Sequence, residues 1–328
     1  MNDLPAGIRE FLVSAGWVEA DIDPIPGDAS FRRYFRLNRE GEPAMLMHAP
    51  PPHEDPVPFL RVAEWLSAHG QRAPEIHAAD EEQGWVLLED FGHDRMRDWL
   101  DENPQGERAA YEGAIDALVK LHREPPGPFA PYDMATYQRE TDLFVEWYCP
   151  AAGLDVDADS YRAAWSEALE PLLARQQPGV TVLRDYHAEN IMLLGDPREG
   201  AAQGLIDFQD ALVGHAAYDL VSLLQDARRD VSRDLEQAMF DRYVAAAEPG
   251  PDFEADYARL GAQRNAKIVG IFTRLWKRDG KPRYLDLIPR VWEAMERDLA
   301  HPALAPVSQW FDAHVPRELR DRLGGKIA

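Results

Sequence analysis

A chain of 328 residues with 45% hydrophobic and 28% charged side chains is globular and too long for one simple core, so two lobes are expected. Its formal charge of −23, from 35 Lys and Arg against 58 Asp and Glu, argues against nucleic acid or an anionic membrane as a partner. Cys149 is the only cysteine, no apolar run approaches the roughly 20 residues that span a bilayer, and MNDLPAGIREFLVSAGW has no basic segment ahead of an apolar one; a cytoplasmic protein without disulfide, membrane span or signal peptide is expected.

Residues 22–50 read as β structure. Gly27-Asp28-Ala29-Ser30 is turn-like and precedes FRRYFRL, whose alternation puts Arg32, Tyr34 and Arg36 on one face and Phe31, Arg33, Phe35 and Leu37 on the other. Residues 38–42 predict a hairpin turn before a further strand, AMLMHA. Prolines at 50–52, 56 and 58 mark a loop, a helix is expected over 57–69 with Gly70 as its stop, and strands are expected at 75–78 and 85–89. From about residue 94 helical spacing takes over, in 106–122, 136–148 and 160–174. It breaks at 180–208, where VTVLRD, NIMLLG and GLIDF are short strand-like runs, and resumes near 216. The expected fold class is α+β and bilobal, with a β-rich lobe (1–90) ahead of a mainly helical one (91–328).

The chemistry concentrates in Leu183-Arg184-Asp185-Tyr186-His187-Ala188-Glu189-Asn190 and Ile206-Asp207-Phe208. One apolar run delivers Asp185 into a loop, Asn190 opens the next strand, and Asp207 ends another. Phosphoryl transfer needs such groups: a carboxylate for the acceptor hydroxyl, and an amide oxygen and a second carboxylate for Mg²⁺. Taken singly, each residue reads equally well as a turn former; the conjunction carries the argument.

LRDYHAENIMLL followed by GLIDFQDALVGHAAYDLVSLL resembles the aminoglycoside phosphotransferase and choline kinase family, with its D-x-x-x-x-N loop, Ile-Asp-Phe metal motif and Tyr218-Asp219-Leu220 helix start. The resemblance implies a protein-kinase-like fold, ATP or another nucleoside triphosphate with Mg²⁺, Asp185 as catalytic base, Asn190 and Asp207 as metal ligands, and Asp219 as support for the catalytic loop. It further implies a purine site at the lobe junction, where the main chains of Leu88 and Glu89 are the candidates.

Two departures from the family stand out. Leu183 occupies the place of a common histidine, and His187 lies inside the loop as a catalytic, structural or substrate-edge residue. The phosphate-binding lysine of the first lobe is also missing, since the first lysine is Lys120. Arg32 and Arg33 are the candidates to meet phosphate instead, because guanidinium forks suit phosphate oxygens; Glu64 is a weaker candidate as partner to such an arginine. The same GDASFRRYFRL, the missing lysine, RDYHAENIM and RLWKRDGKPRYL look like the anomeric sugar kinases of bacterial cell-wall recycling, which act on the C1 hydroxyl of N-acetylmuramate and N-acetylglucosamine. A basic stretch over 263–283 puts Arg264, Lys267 and Arg274 on one helical side, either as a positive surface for an acidic sugar or as a face balancing nearby acids. An aminoglycoside, choline or a nucleotide-binding pseudokinase are the competing readings. Expected partners are a small amino sugar and a nucleotide, with no protein partner evident.

Overall fold

The structure, a computed structural model, describes residues 4–26 and 31–327, so the predicted 27–30 turn lies outside the described residues. Helix α1 (Ile8–Ser14) precedes a five-stranded antiparallel sheet of β1 (Asp21–Ile25), β2 (Arg33–Arg39), β3 (Glu42–His48), β4 (Ile76–Asp80) and β5 (Trp85–Leu88), in the order β1-β2-β3-β5-β4. Helix α2 (Val57–Ala68) lies between β3 and β4 in the chain. The alternation in FRRYFRL does what the period of two predicts. Phe35 and Leu37 are buried with Ala44 and Leu46 of β3, and Phe11 and Leu12 of α1 join the same core. Between β2 and β3, Glu40 (φ 52°) and Gly41 (φ 94°) make a two-residue turn of the twist that hairpins prefer. The Gly41 amide donates to Asn38 Oδ1 at 2.9 Å.

The helical part runs α3 (Met96–Glu102), α4 (Glu107–Arg123) and α5 (Met134–Leu143), which continues through a π-helical turn, Phe144–Tyr148, into the short α6 (Cys149–Ala151). Helix α7 (Ala158–Arg175) starts on Asp157, whose carboxylate accepts from the amides of Asp159 and Ser160. Two ladders follow: β6 (Val180–Val182) pairs with β9 (Leu212–Gly214), and β7 (Ile191–Leu193) with β8 (Gln203–Leu205). The chain ends in α8 (Ala217–Leu224), α9 (Arg233–Ala247), α10 (Phe253–Asp279), α11 (Ile288–Leu299) and α12 (Ala305–His314). The long α10 is buried over most of its length, and Gly270 lets it approach α5, because a Cβ there would sit 2.4 Å from the Leu143 main chain. No helix among the described residues is long and apolar enough to cross a membrane.

The chain packs as two compact units, one of residues 1–113 with 189–210, the other of 114–188 with 211–328. The β7–β8 hairpin joins the first unit through specific contacts. The Leu205 amide donates to the Arg72 carbonyl and the Leu193 amide to the Asp94 carbonyl, both at 2.8 Å. Gly204 leaves room for the Phe91 ring, which would lie 2.5 Å from any Cβ at that position. Packing therefore groups a late hairpin with the early strands, a division different from the single boundary expected at residue 90.

Candidate active site

In the first unit, the β7–β8 hairpin carries Asn190 at its start and Asp207 just past its end. The Ile206 amide donates to the Asn190 carbonyl at 3.1 Å, which closes the hairpin and brings the two side chains together. Asn190 Nδ2 donates to Asp207 Oδ2 at 3.2 Å, and Gln209 Nε2 donates to Asp207 Oδ1 at 2.9 Å. Asp207 has φ 59°, in the left-handed region that Asp and Asn tolerate better than most residues. Phe208 behind it stacks on Phe59 of α2 at 4.9 Å, so the turn is clamped by a buried ring. Among the described residues no three His, Cys, Asp or Glu side chains gather to hold a metal alone. One amide and one carboxylate instead suit Mg²⁺, which keeps water and shares phosphate oxygens.

The same unit places the predicted nucleotide residues. Arg32 Nε meets Glu54 at 3.3 Å, so the acid the structure gives it lies in the loop before α2, rather than being Glu64. Arg33 is exposed at the start of β2, 5.2 Å from the Phe35 ring. Arg36 is committed elsewhere, its Nε donating to Asp90 at 2.6 Å and its Nη2 to the Gly92 carbonyl at 2.7 Å. Sequence reasoning gave Tyr34 no role. Burial pushes its phenol up to about 12, with Arg32 opposing and Asp207 adding to the rise, so Tyr34 shares an electrostatic environment with both predicted site residues. Leu88 closes β5, paired with Met45 on one side and Ile76 on the other. The Glu89 amide donates to the Glu75 carbonyl at 2.9 Å, and its carboxylate holds Arg72. The amide and the carboxylate of Glu89 are thus both engaged within the first unit.

In the second unit, Asp185 follows β6 in a loop fixed by three hydrogen bonds to two anchors. The buried Asp219 carboxylate, at the start of α8, accepts from the Leu183 amide at 2.6 Å and the Arg184 amide at 2.8 Å. Arg184 takes φ 73° there. Tyr186 Oη donates to the Ala114 carbonyl at 2.8 Å and ties the loop to α4. Burial raises the Asp219 carboxyl to about 7, even against those two amide donors, so its charge is partly suppressed near neutrality.

Asp185 itself is 47% exposed at its side chain. Desolvation pushes its pKa upward, but the positive fields of Lys267, His187, Arg264 and Arg184 outweigh it and hold the carboxyl below its usual range. Arg264 Nη2 lies 3.9 Å from Asp185 Oδ1. His187 is buried, its pKa lowered chiefly by that burial, with its Nε2 3.5 Å from Arg228 Nη1. Lys267 and Arg184 both reach one buried acid, Glu140 of α5, Lys267 Nζ at 2.9 Å. Tyr132 and Gln263 also donate to Glu140.

These positions correct the expected positive surface. Arg264 is 3% exposed, and Lys267 is an internal ion-pair partner. Both face acids inside the unit, because the counter-charges come from distant parts of the chain. Arg274 goes elsewhere: its surroundings are Arg278, Asp279 and Glu146, and burial lowers its pKa. Glu140 and Arg228 were missed by sequence reasoning. Glu140 did leave a signal: it falls at helical spacing with Tyr137 and Phe144, both buried, and an acid on an apolar face needs a cation.

Residues 21–262 match the family described as the phosphotransferase enzyme family. An N-acetylmuramate/N-acetylglucosamine kinase of Caulobacter vibrioides is 39% identical, over 97% of this chain and 99% of its own. A protein of the same name from Pseudomonas aeruginosa is 37% identical over 93% of each. Among solved structures, choline kinase LicA from Streptococcus pneumoniae matches with a TM-score of 0.61 at 15% identity, covering 91% of this chain and 97% of its own. Aminoglycoside phosphotransferase APH(3'')-Id from Streptomyces rimosus matches with a TM-score of 0.57 at 18% identity, covering 81% and 99%. Likenesses at that identity establish the kinase-like α+β fold.

Proposed function

The chain belongs to the phosphotransferase enzyme family, and on that premise we propose that it is an ATP-dependent sugar kinase acting on the anomeric hydroxyl of N-acetylmuramate and N-acetylglucosamine, in cytoplasmic recycling of peptidoglycan. The observation that carries the acceptor is the 39% identity, along essentially the whole chain, to a kinase bearing those two sugars in its name. Residues 1–90 serve as the nucleotide lobe and 91–328 as the catalytic and acceptor lobe.

Asp185 takes the proton of the C1 hydroxyl as that oxygen attacks the γ-phosphorus. The bond from γ-phosphorus to the β–γ bridging oxygen breaks, and ADP leaves. A carboxylate held below its usual pKa is a weak base, which suits a loose transition state in which orientation of the hydroxyl matters more than early proton removal. The anomeric hydroxyl, made more acidic by the ring oxygen, asks less of such a base. Asn190 and Asp207 are the residues for Mg²⁺, which when bound neutralises triphosphate charge. Arg32 and Arg33 stand in for the absent lysine, Arg33 as the more accessible of the two. The Glu89 carbonyl and the Leu88 main chain border the purine. Asp219 holds the loop that presents Asp185.

Regiochemistry tests the proposal. With ATP and either N-acetyl sugar, the product should show phosphorus coupling to H1 by NMR, and the methyl glycosides should give no phosphosugar. Efficient phosphorylation of a methyl glycoside at C3 or C6 would refute the anomeric assignment and leave the kinase family untouched.

A further inference from the structure

Beside Asp185, within the second unit, is a recess of about 60 Å³. Sites that enclose whole small molecules run to about 300–1,000 Å³, so this one has room for a substituent and not for a sugar ring. Its lining is mixed: Arg228, Arg264 and Lys267 are cationic, and Ile268, Ile271 and Phe272, interleaved with the last two on α10, are apolar. Arg264 is the unusual member. It is buried, its Nη2 is directed to Asp185 at 3.9 Å, and its Nη1 has no hydrogen-bond partner among the described residues. A buried guanidinium nitrogen without an acceptor is costly, and such groups in native proteins call for a missing partner. Lys267 is accounted for by Glu140; Arg264 Nη1 is not.

The partner must be an oxygen, it must sit next to the hydroxyl that Asp185 addresses, and its group must end in something apolar. On a C1-reacting sugar, the adjoining carbon that carries a variable substituent is C2. An acetamido group there offers a carbonyl oxygen for Arg264 and a methyl for the apolar side chains of Ile268, Ile271 and Phe272. We propose that this recess is the acetamido subsite of the acceptor, with Arg264 donating from Nη1 to the amide carbonyl as a specificity-determining residue. The inference rests on the sugar-kinase reading above and deepens it. It also explains the choice of charge. A free amino sugar brings an ammonium to a recess whose three cations outnumber its one carboxylate, Asp185, and like charges at close range suppress the wrong partner. The recess thus selects N-acetylated over free amino acceptors.

The test is a cycle between side chain and substituent. Initial rates of sugar 1-phosphate formation are measured with N-acetylglucosamine, glucose and glucosamine, for the wild-type chain, Arg264→Gln and Arg264→Lys. Wild type should prefer N-acetylglucosamine over glucose and glucosamine by about 10²-fold or more in kcat/KM. Arg264→Gln should lose about 10- to 100-fold more on N-acetylglucosamine than on glucose, the excess over any loss through Asp185 being the hydrogen bond from a charged donor. Arg264→Lys should fall between. If both sugars lose equally in Arg264→Gln, the arginine acts only through Asp185 and the subsite is refuted. A second variant guards against a fold that depends on Arg264. Ile271→Glu, at a half-buried position, should shift preference toward glucosamine by about 10-fold or more; an unchanged ratio would overturn the subsite independently. Wild type that phosphorylates glucose at C1 as well as N-acetylglucosamine refutes the subsite alone. Wild type that phosphorylates no sugar refutes the sugar-kinase reading and the subsite together.

Discussion

Removing Glu140 should destabilise the protein more than removing Lys267, although the two share one ion pair. Lys267 Nζ lies 2.9 Å from Glu140 Oε1. At an effective dielectric of about 20, that separation corresponds to a gross attraction of about 6 kcal/mol. Desolvation of two buried ions takes back several kcal/mol of it. The asymmetry comes from the neighbours. After Lys267→Met, Glu140 keeps Arg184 and the donors Tyr132 and Gln263, so no charge is orphaned and the cost should be about 1–3 kcal/mol. After Glu140→Gln, Arg184 and Lys267 both lose their buried counter-ion, and the cost should be about 3–5 kcal/mol. The double variant should cost less than the sum, with a coupling of about 1–3 kcal/mol. Urea unfolding followed by tryptophan fluorescence and circular dichroism measures all three, provided the two probes give coincident transitions. Because Arg184 adjoins Asp185, Glu140→Gln should also lower kcat while nucleotide affinity stays near wild type. Costs for the two single variants that are equal, or that add within about 0.5 kcal/mol, would refute the idea that one acid serves two cations.

Asp185→Asn should fold, bind nucleotide and lose about 10²–10⁴ in kcat; a variant retaining a tenth of wild-type turnover would place the base elsewhere. Arg33→Ala and Arg32→Ala should raise the KM for ATP and leave the sugar KM nearly unchanged, and wild-type behaviour of the double variant would remove this strand from phosphate binding. Asp256 supplies a pH signature. Burial alone would raise its carboxyl, but His215 and Arg175 bring it from 3.8 to about 2, with Arg175 at 2.6 Å. A depressed carboxylate stabilises above its unfolded pKa, so about 2 kcal/mol present above pH ~4 should be lost as pH falls toward ~2. Asp256→Asn should show a smaller loss of unfolding free energy over that interval, and an identical pH dependence would refute the assignment.

Much of this was legible because short-range rules govern it. Alternation in FRRYFRL, the Glu40–Gly41 turn and the helical spacing of 106–122 are local, and each element forms close to where the pattern places it. The loop 183–190 and the Asp207 turn were legible as a motif. Asp219, named from the Tyr-Asp-Leu helix start, accepts from the Leu183 and Arg184 amides. What could not be read depends on partners far apart in the chain. Arg264 and Lys267 look like a basic helical face until Asp185 and Glu140 arrive from other segments to bury them. β9 is three residues long and is held as a strand by β6 and by the segment around Pro131, both distant in sequence. Arg36 shares a strand face with Arg32 in the sequence, and only the fold shows that Asp90 and Gly92 claim it.

The discontinuous make-up of the first unit sets a schedule for its birth on the ribosome. Its strands emerge early, but the hairpin that covers Phe91 and donates to the Arg72 carbonyl follows an intervening stretch of 75 residues, 114–188. At about 5–20 residues per second, that is a wait of roughly 4–15 s in which the nascent sheet has no such cover. Contacts of such long sequence separation also slow folding in a test tube. A nascent chain stalled before residue 189 should thus be a better client for a chaperone, and an easier target for a protease, than one stalled beyond residue 210.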